Sequence, residues 1–233
     1  MTQSTSHVKG TVFGVGVGPG DPELITLKAV RVIRECEVIA VPETRATASR
    51  AYRIALDAVP EIAHKETLAL PTPMTKDHTA LLAAHRANAL TLEALLNEGK
   101  CVAYLTLGDP TIYSTFSYLQ RQLSKDGYAT CVISGVTSFC AAAARLGTPL
   151  VEGQEALHVL PASQDRDVSL EQNDTYVFLK GGHHAQELKD RLRARERTAW
   201  AIQDCGTASE RVYATIDEIP SRMDYFSLIV SSR

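Results

Sequence analysis

VFGVGVGPGD, residues 12–21, is an apolar run that ends in a glycine-proline turn, and this stretch decides the fold. The run predicts a short buried strand. Asp21-Pro22 then predicts the start of a helix, because an aspartate N-cap followed by proline favours helix initiation. In open α/β sheets, ligands collect at the carboxyl ends of strands, where such turns lie. The turn is therefore the first candidate site.

The glycine spacing excludes a nucleotide-phosphate loop at this turn. A dinucleotide fingerprint needs glycines at positions i, i+2 and i+5. The positions that would need the third glycine hold Pro19, Asp21 and Glu23. No Gly-Lys-Ser/Thr follows, and the Asp21 carboxylate would repel a phosphate from the helix N-terminus. The turn either approaches a ligand that has no phosphate or is only a tight strand-to-helix connection.

Composition indicates an ordinary globular protein. The chain has 233 residues, 45% of them apolar and 22% charged, enough for one large domain or two small ones. A net charge of −3 gives no basic field of the kind that binds nucleic acid. Five scattered cysteines without a CxxC motif, and no signal peptide, lead us to expect reduced thiols in a cytoplasmic protein. No apolar stretch reaches about 18 residues, so we expect no membrane span.

Strands and helices alternate through the first part of the chain. Further strands are predicted at residues 38–41, 64–70, 101–107 and 131–134. Helical patterns cover residues 22–35, 51–59, 76–98, 111–125 and 138–146. This alternation predicts an α/β domain with a parallel, doubly wound sheet.

The pattern changes from about Pro149. Strands are then predicted at residues 157–160, 175–180, 199–204, 211–215 and 226–230, with one helix at 185–195. Strands that follow one another with few helices favour hairpins and a mixed sheet. We therefore expect an N-terminal parallel α/β domain over residues 1–135 and a C-terminal mixed-sheet α/β domain over residues 136–233.

Three of the predicted strands end in turns of one kind. Each turn joins glycine to Asp, Pro or Thr, at Gly18–Asp21, Gly108–Pro110 and Gly135–Thr137. If the strands are parallel, the three turns lie at the same edge of the sheet. Their convergence indicates a ligand site, although three independent structural turns would leave the same pattern.

Polar residues near these turns are candidates for chemistry. Asp109 is either a functional carboxylate or an Asx turn that caps its own backbone. The arginines after the second strand either bind an acidic ligand or form a solvated face; they are Arg45, Arg50 and Arg53. The segment Tyr113–Tyr118 either lines a pocket for a flat substrate or is the polar side of a helix with aromatic core anchors.

The histidines and cysteines do not indicate metal or thiol chemistry. His183 and His184 are adjacent and therefore face different ways, and no third ligand lies at a spacing typical of metal sites. The cysteines have no histidine at a motif spacing, which disfavours a thiol nucleophile. We expect no metal.

Three motifs together resemble the signatures of the tetrapyrrole methylases: VGVGPGDPELIT (residues 15–26), YLTLGDPTIYST (104–115) and SGVTSF (134–139). VFLKGG (177–182) and CGTASERV (205–212) fit the second domain of the same family. The resemblance covers nearly the whole chain, in order. GDPTIYSTFSYL and SGVTSFCAAAARLGTPL are most similar to the branch that methylates C20 of precorrin-2 or cobalt-factor II in cobalamin biosynthesis.

The resemblance implies two αβα domains with a ligand trough between them, a homodimer, and S-adenosylmethionine bound between the domains. This cofactor has a sulfonium and an adenosine but no phosphate, which suits the first turn. The implied cofactor contacts are Pro19, Leu107, Gly108, Asp109, Ile112, Thr137, Ser138, Lys180 and Gly206. Related methylases carry glycine and methionine in place of Leu107 and Lys180, so we expect those two contacts to be made by backbone.

The implied reaction is methyl transfer to a meso carbon of a reduced tetrapyrrole, with S-adenosylhomocysteine as product. Asp109 and Tyr113 are candidates for assisting the loss of a proton. The substrate carboxylates need cationic donors, for which the candidates are Arg45, Arg50, Arg53 and Lys180. We expect no nucleic-acid or membrane partner. The alternatives are methylation of another ring position, a diphthine-synthase-like methylase, or a non-catalytic binder. The metal-free and the cobalt-containing substrate both stay open.

Overall fold

The structure, a computed structural model, describes residues 9–73, 75, 77–162 and 169–232. The chain divides into two compact units, Met1–Thr137 and Ser138–Arg233. Each unit is built around its own sheet of five strands within the described residues.

The sheet of the first unit is parallel throughout, with the strand order β3-β2-β4-β1-β5. Its strands are β1 Thr11–Gly16, β2 Val38–Val41, β3 Glu66–Ala69, β4 Val102–Thr106 and β5 Ala129–Ile133. Its helices are α1 Leu27–Glu35, α2 Arg50–Ala58, α3 His78–Asn97 and α4 Phe116–Lys125. The predicted parallel sheet is confirmed.

Helices cover both faces of this sheet, because its strands are apolar on both sides. Along β4, Ala103 and Leu105 pack into the core under α1 and α2, whereas Val102 and Tyr104 pack into the core under α3 and α4. Gly14 of β1 lies against the Phe116 ring, and a Cβ there would be 2.2 Å from ring carbons. The fold is therefore doubly wound, as predicted.

Two predicted helices begin later than expected. The helix predicted from residue 22 is a 3₁₀ turn, Pro22–Leu24, capped by Asp21, and α1 starts only at Leu27. Thr26 provides a second N-cap by accepting a hydrogen bond from the Ala29 amide at 3.2 Å, and Ile25, between the 3₁₀ turn and this cap, has extended backbone. The helix predicted from residue 111 begins at Phe116, because Tyr113 has a φ of 47° that ends any regular helix there.

The second unit has a mixed sheet in the order β6-β7-β10-β8-β9, in which only the β6–β7 pair is parallel. The strands are β6 Leu157–Pro161, β7 Thr175–Leu179, β8 Thr198–Gln203, β9 Arg211–Tyr213 and β10 Ser227–Ser232. The helices are α5 Ser138–Leu146 and α6 Ala185–Arg193. The predicted mixed sheet is confirmed.

Candidate functional site

The glycine turns after β1, β4 and β5 meet at the carboxyl edge of the first sheet. β1 lies between β4 and β5, so the three turns are neighbours. Gly108 donates its amide to the Gly18 carbonyl at 2.8 Å, and Gly18 donates to the Gly108 carbonyl at 3.3 Å. The predicted convergence of the three turns is confirmed, and we call this part of the edge the glycine half.

Backbone packs directly on backbone within the glycine half. A Cβ on Gly135 would lie 2.2 Å from the Gly108 carbonyl oxygen, and a Cβ on Gly16 would lie 2.6 Å from the same atom. Real Cβ atoms do not approach backbone this closely, so neither position accepts a side chain. Gly108 itself is buried and has a φ of +71°, and the Val136 carbonyl oxygen lies 3.9 Å from its Cβ position, an ordinary contact.

Asp109 joins the second turn to the third. Its Oδ1 accepts hydrogen bonds from the Thr111 amide at 2.8 Å and the Thr111 hydroxyl at 2.5 Å, and its Oδ2 accepts one from the Gly135 amide at 2.9 Å. Burial works to raise the pKa of Asp109, but these hydrogen bonds outweigh it and hold the pKa below its ordinary value. Both oxygens are engaged, which favours the Asx-turn interpretation. The predicted catalytic role of Asp109 stays a prediction that this geometry does not favour.

Different residues of the segment Tyr113–Tyr118 fit the two interpretations, which are a pocket lining and a helix with aromatic core anchors. Phe116 is fully buried and is a core anchor for α4. Tyr113 is 54% exposed, and Tyr118, half exposed, stacks on His85 with ring centroids 4.7 Å apart. Tyr113 therefore lies at the surface of the loop that leaves the glycine half, where its left-handed backbone is a local strain of the kind found at functional sites.

The remaining predicted cofactor contacts of the first unit lie on the same three turns. Pro19 is buried in the first, Leu107 and Ile112 flank the second, and Thr137 ends the third. The Thr137 hydroxyl oxygen is buried and has no hydrogen-bond partner within the described part of the chain. A buried hydroxyl of this kind is a suitable group for a ligand contact.

In the second unit, two predicted contacts follow strands that run in the same direction. Lys180 follows β7 and Gly206 lies just after β8, and both strands are antiparallel to β10 between them. The two residues therefore lie at one edge of the second sheet. Both have left-handed backbone, with φ values of 58° and 77°. Ser138 is the first residue of α5.

The three predicted substrate arginines lie in the segment that follows β2. Arg45 precedes the 3₁₀ turn Ala46–Ala48 and is exposed, as is Arg53 in α2. Arg50, the first residue of α2, is half-buried. Because β2 is parallel to β4, this segment lies at the same carboxyl edge as the glycine half.

Four buried polar atoms that the sequence did not single out lie on the other half of this sheet and on α3. They have no hydrogen-bond partner among the described residues: Glu43 Oε2, Thr72 Oγ1, His85 Nδ1 and Tyr104 OH. Glu43 follows β2, Thr72 follows β3, and Tyr104 lies on β4 beside Ala40 of β2. We call these four residues the unpaired group. Sequence pattern carries no signal for them, because burial without a partner depends on distant packing.

The environment of the unpaired group shifts two of its pKa values. Burial, together with the negative charge of Glu43, raises the pKa of Tyr104, so the phenol stays protonated. Burial, together with the Arg121 guanidinium, lowers the pKa of His85. Asn88, one turn along α3 from His85, donates to the carbonyls of Leu70 and Pro71 at 3.2 and 3.1 Å, which ties α3 to the chain just before Thr72.

The described residues contain neither a candidate metal cluster nor a helix that could cross a membrane. They contain no group of three His, Cys, Asp or Glu side chains that could hold a metal ion. His183 and His184 lie in a 3₁₀ turn, and His184 Nδ1 is 3.6 Å from a Glu187 carboxylate oxygen. None of the helices in the described ranges is long and apolar enough to cross a membrane.

The chain is similar to known proteins along almost its whole length. The family model described as tetrapyrrole (corrin/porphyrin) methylases matches residues 11–220. A probable cobalt-precorrin-2 C(20)-methyltransferase of Methanocaldococcus jannaschii is 36% identical, over 95% of this chain and 96% of that protein. A precorrin-2 C(20)-methyltransferase of a Sinorhizobium species is 29% identical, over 95% and 94% of the two chains.

A solved structure has the same fold. The crystal structure of uroporphyrin-III C-methyl transferase from Thermus thermophilus, complexed with S-adenosyl homocysteine, matches with a TM-score of 0.68 at 23% identity. The match covers 96% of this chain and 98% of that one. Motifs, fold and family model agree: the chain belongs to the tetrapyrrole (corrin/porphyrin) methylases.

Proposed function

We propose that the protein methylates C20 of a precorrin-2-type reduced tetrapyrrole in cobalamin biosynthesis, with S-adenosylmethionine as methyl donor. The observation that carries this proposal is the 36% identity, from end to end, to a relative named as a C(20)-methyltransferase. A second relative, which is 29% identical and is also named as a C(20)-methyltransferase, supports methylation of the same carbon.

The glycine half fits S-adenosylmethionine. It offers a buried unpaired hydroxyl on Thr137, and it lacks a phosphate loop, which a cofactor without a phosphate does not need. When bound, the cofactor supplies an electrophilic methyl group on a sulfonium. The residues that would hold it are Pro19, Leu107, Gly108, Asp109, Ile112 and Thr137 in the first unit, and Ser138, Lys180 and Gly206 in the second. Asp109 would contribute by fixing the turns, since its oxygens are already engaged.

The contribution of the chain to this chemistry is mainly alignment. Transfer to an electron-rich carbon needs the reacting atoms held in line more than it needs a strong base, and proximity supplies about 7–11 kcal/mol in favourable cases. The hydrogen-bonded turns of the glycine half are suited to this alignment, because rigid backbone holds a ligand more accurately than mobile side chains do. Arg45, Arg50, Arg53 and Lys180 are our candidates for binding the substrate carboxylates.

We also propose a homodimer and a cytoplasmic location, which are supported by the family and by the composition of the chain. Tyr113 stays a candidate for assisting proton loss, supported by its exposure beside the second turn. We propose no nucleic-acid partner, because the net charge of −3 gives the chain no basic field.

Titration with S-adenosylhomocysteine followed by product analysis tests the proposal. The protein should bind S-adenosylhomocysteine in isothermal titration calorimetry. It should then transfer a ¹³C-methyl group to precorrin-2, to cobalt-precorrin-2 or to both, and NMR should place the label at C20. A label at another carbon would contradict the proposed position, and absence of binding would contradict the methylase function. The ratio of the two rates would decide between the metal-free and the cobalt substrate.

A further inference from the structure

Glu43 carries a buried carboxylate oxygen that the fold itself does not use. Oε2 has no hydrogen-bond partner in the described ranges, and neither has the Tyr104 hydroxyl, on a side chain that is 1% exposed. A buried polar atom left unpaired costs about 1–3 kcal/mol of stability. Proteins keep few such atoms, and those that persist are often found where a ligand or a catalytic step needs them.

The position of these two residues connects them to the proposed site. Glu43 lies three residues beyond Ala40, which pairs with Tyr104 across the β2–β4 ladder. Strand β4 continues from Tyr104 into the Leu107–Asp109 turn of the glycine half. The same segment after β2 also carries Arg45, whose exposed guanidinium is a candidate for a substrate carboxylate. The acceptor and the anion-binding candidates thus lie on one short stretch of chain.

Glu43 differs from Asp109 in the property that a proton acceptor needs. Asp109 accepts three hydrogen bonds, which lower its pKa and leave it a poor base. Glu43 Oε2 is a buried oxygen that accepts none within the described residues. An oxygen that the fold does not engage can take up a proton without breaking an existing hydrogen bond, whereas both Asp109 oxygens already accept hydrogen bonds.

We propose that Glu43 accepts the proton that leaves the methylated carbon. This inference rests on the proposed function. When methyl replaces hydrogen at the meso carbon, the carbon–hydrogen bond breaks and its electron pair returns to the conjugated macrocycle. The proton passes to Glu43 Oε2 and then to solvent. The step needs no oxidant or reductant.

Glu43→Gln and Tyr104→Phe test the assignment, with Glu61→Gln as the matched control. Glu61 is exposed and paired with Arg34 at 3.2 Å in the same unit. Glu43→Gln should lower kcat about 10²–10³-fold, in the range typical of general-base loss, while KM for the tetrapyrrole and Kd for S-adenosylhomocysteine change less than about threefold. Tyr104→Phe removes a neighbouring unpaired hydroxyl that does not accept the proton, and should lower kcat less than about threefold. Glu61→Gln should stay within about twofold of wild type.

Two further readouts separate a catalytic from a structural role. Tyr104→Phe should not have a lower Tm than wild type, since it removes an unpaired buried polar group, and Glu43→Gln should have a Tm close to wild type, since it replaces one unpaired polar atom with another. Substrate deuterated at C20 should give a larger primary isotope effect with Glu43→Gln than with wild type. A Glu43→Gln enzyme with kcat within about threefold of wild type, or with Tm and Kd lost together with kcat, would overturn the assignment. Wild-type protein that methylates neither substrate would instead overturn the proposed function.

Discussion

The two halves of the carboxyl edge of the first sheet are built in opposite ways. In the glycine half the polar groups other than the Thr137 hydroxyl pair with one another: Gly18 with Gly108, Asp109 with Thr111 and Gly135, and Thr106 with Ser114 at 3.3 Å. On the other half, the unpaired group of Glu43, Thr72, His85 and Tyr104 leaves buried polar atoms without partners in the described chain. One half therefore stabilises the fold at the turns where we propose that the cofactor binds, and the other costs stability.

Under the proposed function, the glycine half holds the cofactor and the other half accepts the proton of the substrate, and we call this the division of labour between the two halves. A surface made of turns that are hydrogen-bonded to one another is preorganised and does not change when a ligand leaves. Unpaired buried groups are tolerated where function requires them, at a cost in stability that the rest of the fold offsets. Substitutions in the two halves should therefore affect stability with different signs and sizes.

The largest effect is expected for Gly135→Ala. Its Cβ would lie 2.2 Å from the Gly108 carbonyl oxygen, so the second and third turns would have to separate. We expect a loss of about 3 kcal/mol in unfolding free energy, measured by urea denaturation, and loss of S-adenosylhomocysteine binding. Gly127→Ala is the matched control. It has a φ of +81° but nothing within 4 Å of its Cβ position, and should cost only about 1–2 kcal/mol and leave binding intact. Equal losses in the two variants would show that the turns are not in contact as described.

A smaller effect is expected for Asp109→Asn, and it should depend on pH. The side-chain amide would place an N–H group against either the Thr111 or the Gly135 donor, and should cost about 2 kcal/mol at pH 7. The pKa of Asp109 is lower in the folded chain than its ordinary value of 3.8, so its ionised form stabilises the fold above that pH. This contribution is lost as the pH falls through the lowered pKa. The difference between wild type and variant in denaturation experiments should shrink below pH 4, and a difference that does not change with pH would contradict the assignment.

The smallest effects are expected for two threonine-to-valine substitutions, one in the glycine half and one in the unpaired group. Thr111→Val removes a hydroxyl that donates to Asp109, and should cost about 1 kcal/mol. Thr72→Val removes a hydroxyl that has no partner in the part of the chain described, and should change the unfolding free energy by less than about 0.5 kcal/mol. Calorimetric unfolding of both variants measures the difference. A larger loss from Thr72→Val than from Thr111→Val would reverse the contrast between the two halves.

The features of the fold that come from local pattern were predictable from sequence. Apolar runs that end in glycine turns gave the strands and their order of appearance, and strand–helix alternation gave the parallel sheet of the first unit. The meeting of the three turns followed from that sheet. Helix starts were less predictable, since Asp21 and Thr26 are both good N-caps, and the extended backbone at Ile25 separates the 3₁₀ turn after Asp21 from the helix after Thr26.

The features that depend on distant partners were not predictable. Asp109 was recognised as a possible Asx turn, but its bond to the Gly135 amide joins residues 26 positions apart and leaves no mark in the sequence. Glu43 and Tyr104 are unremarkable residue types in the sequence, and only the packed core shows that their oxygens are buried without partners. The left-handed backbone of Tyr113 likewise contradicts the ordinary preference of a tyrosine.

Side-by-side measurement of S-adenosylhomocysteine Kd and of kcat for Asp109→Asn and Glu43→Gln tests the division of labour most directly. Asp109→Asn should weaken binding at least about tenfold, because it loosens the turns that shape the cofactor surface. Glu43→Gln should leave Kd within about threefold of wild type and lower kcat at least about a hundredfold. If Glu43→Gln weakened binding while Asp109→Asn left it unchanged, the assignment of the two halves would be contradicted.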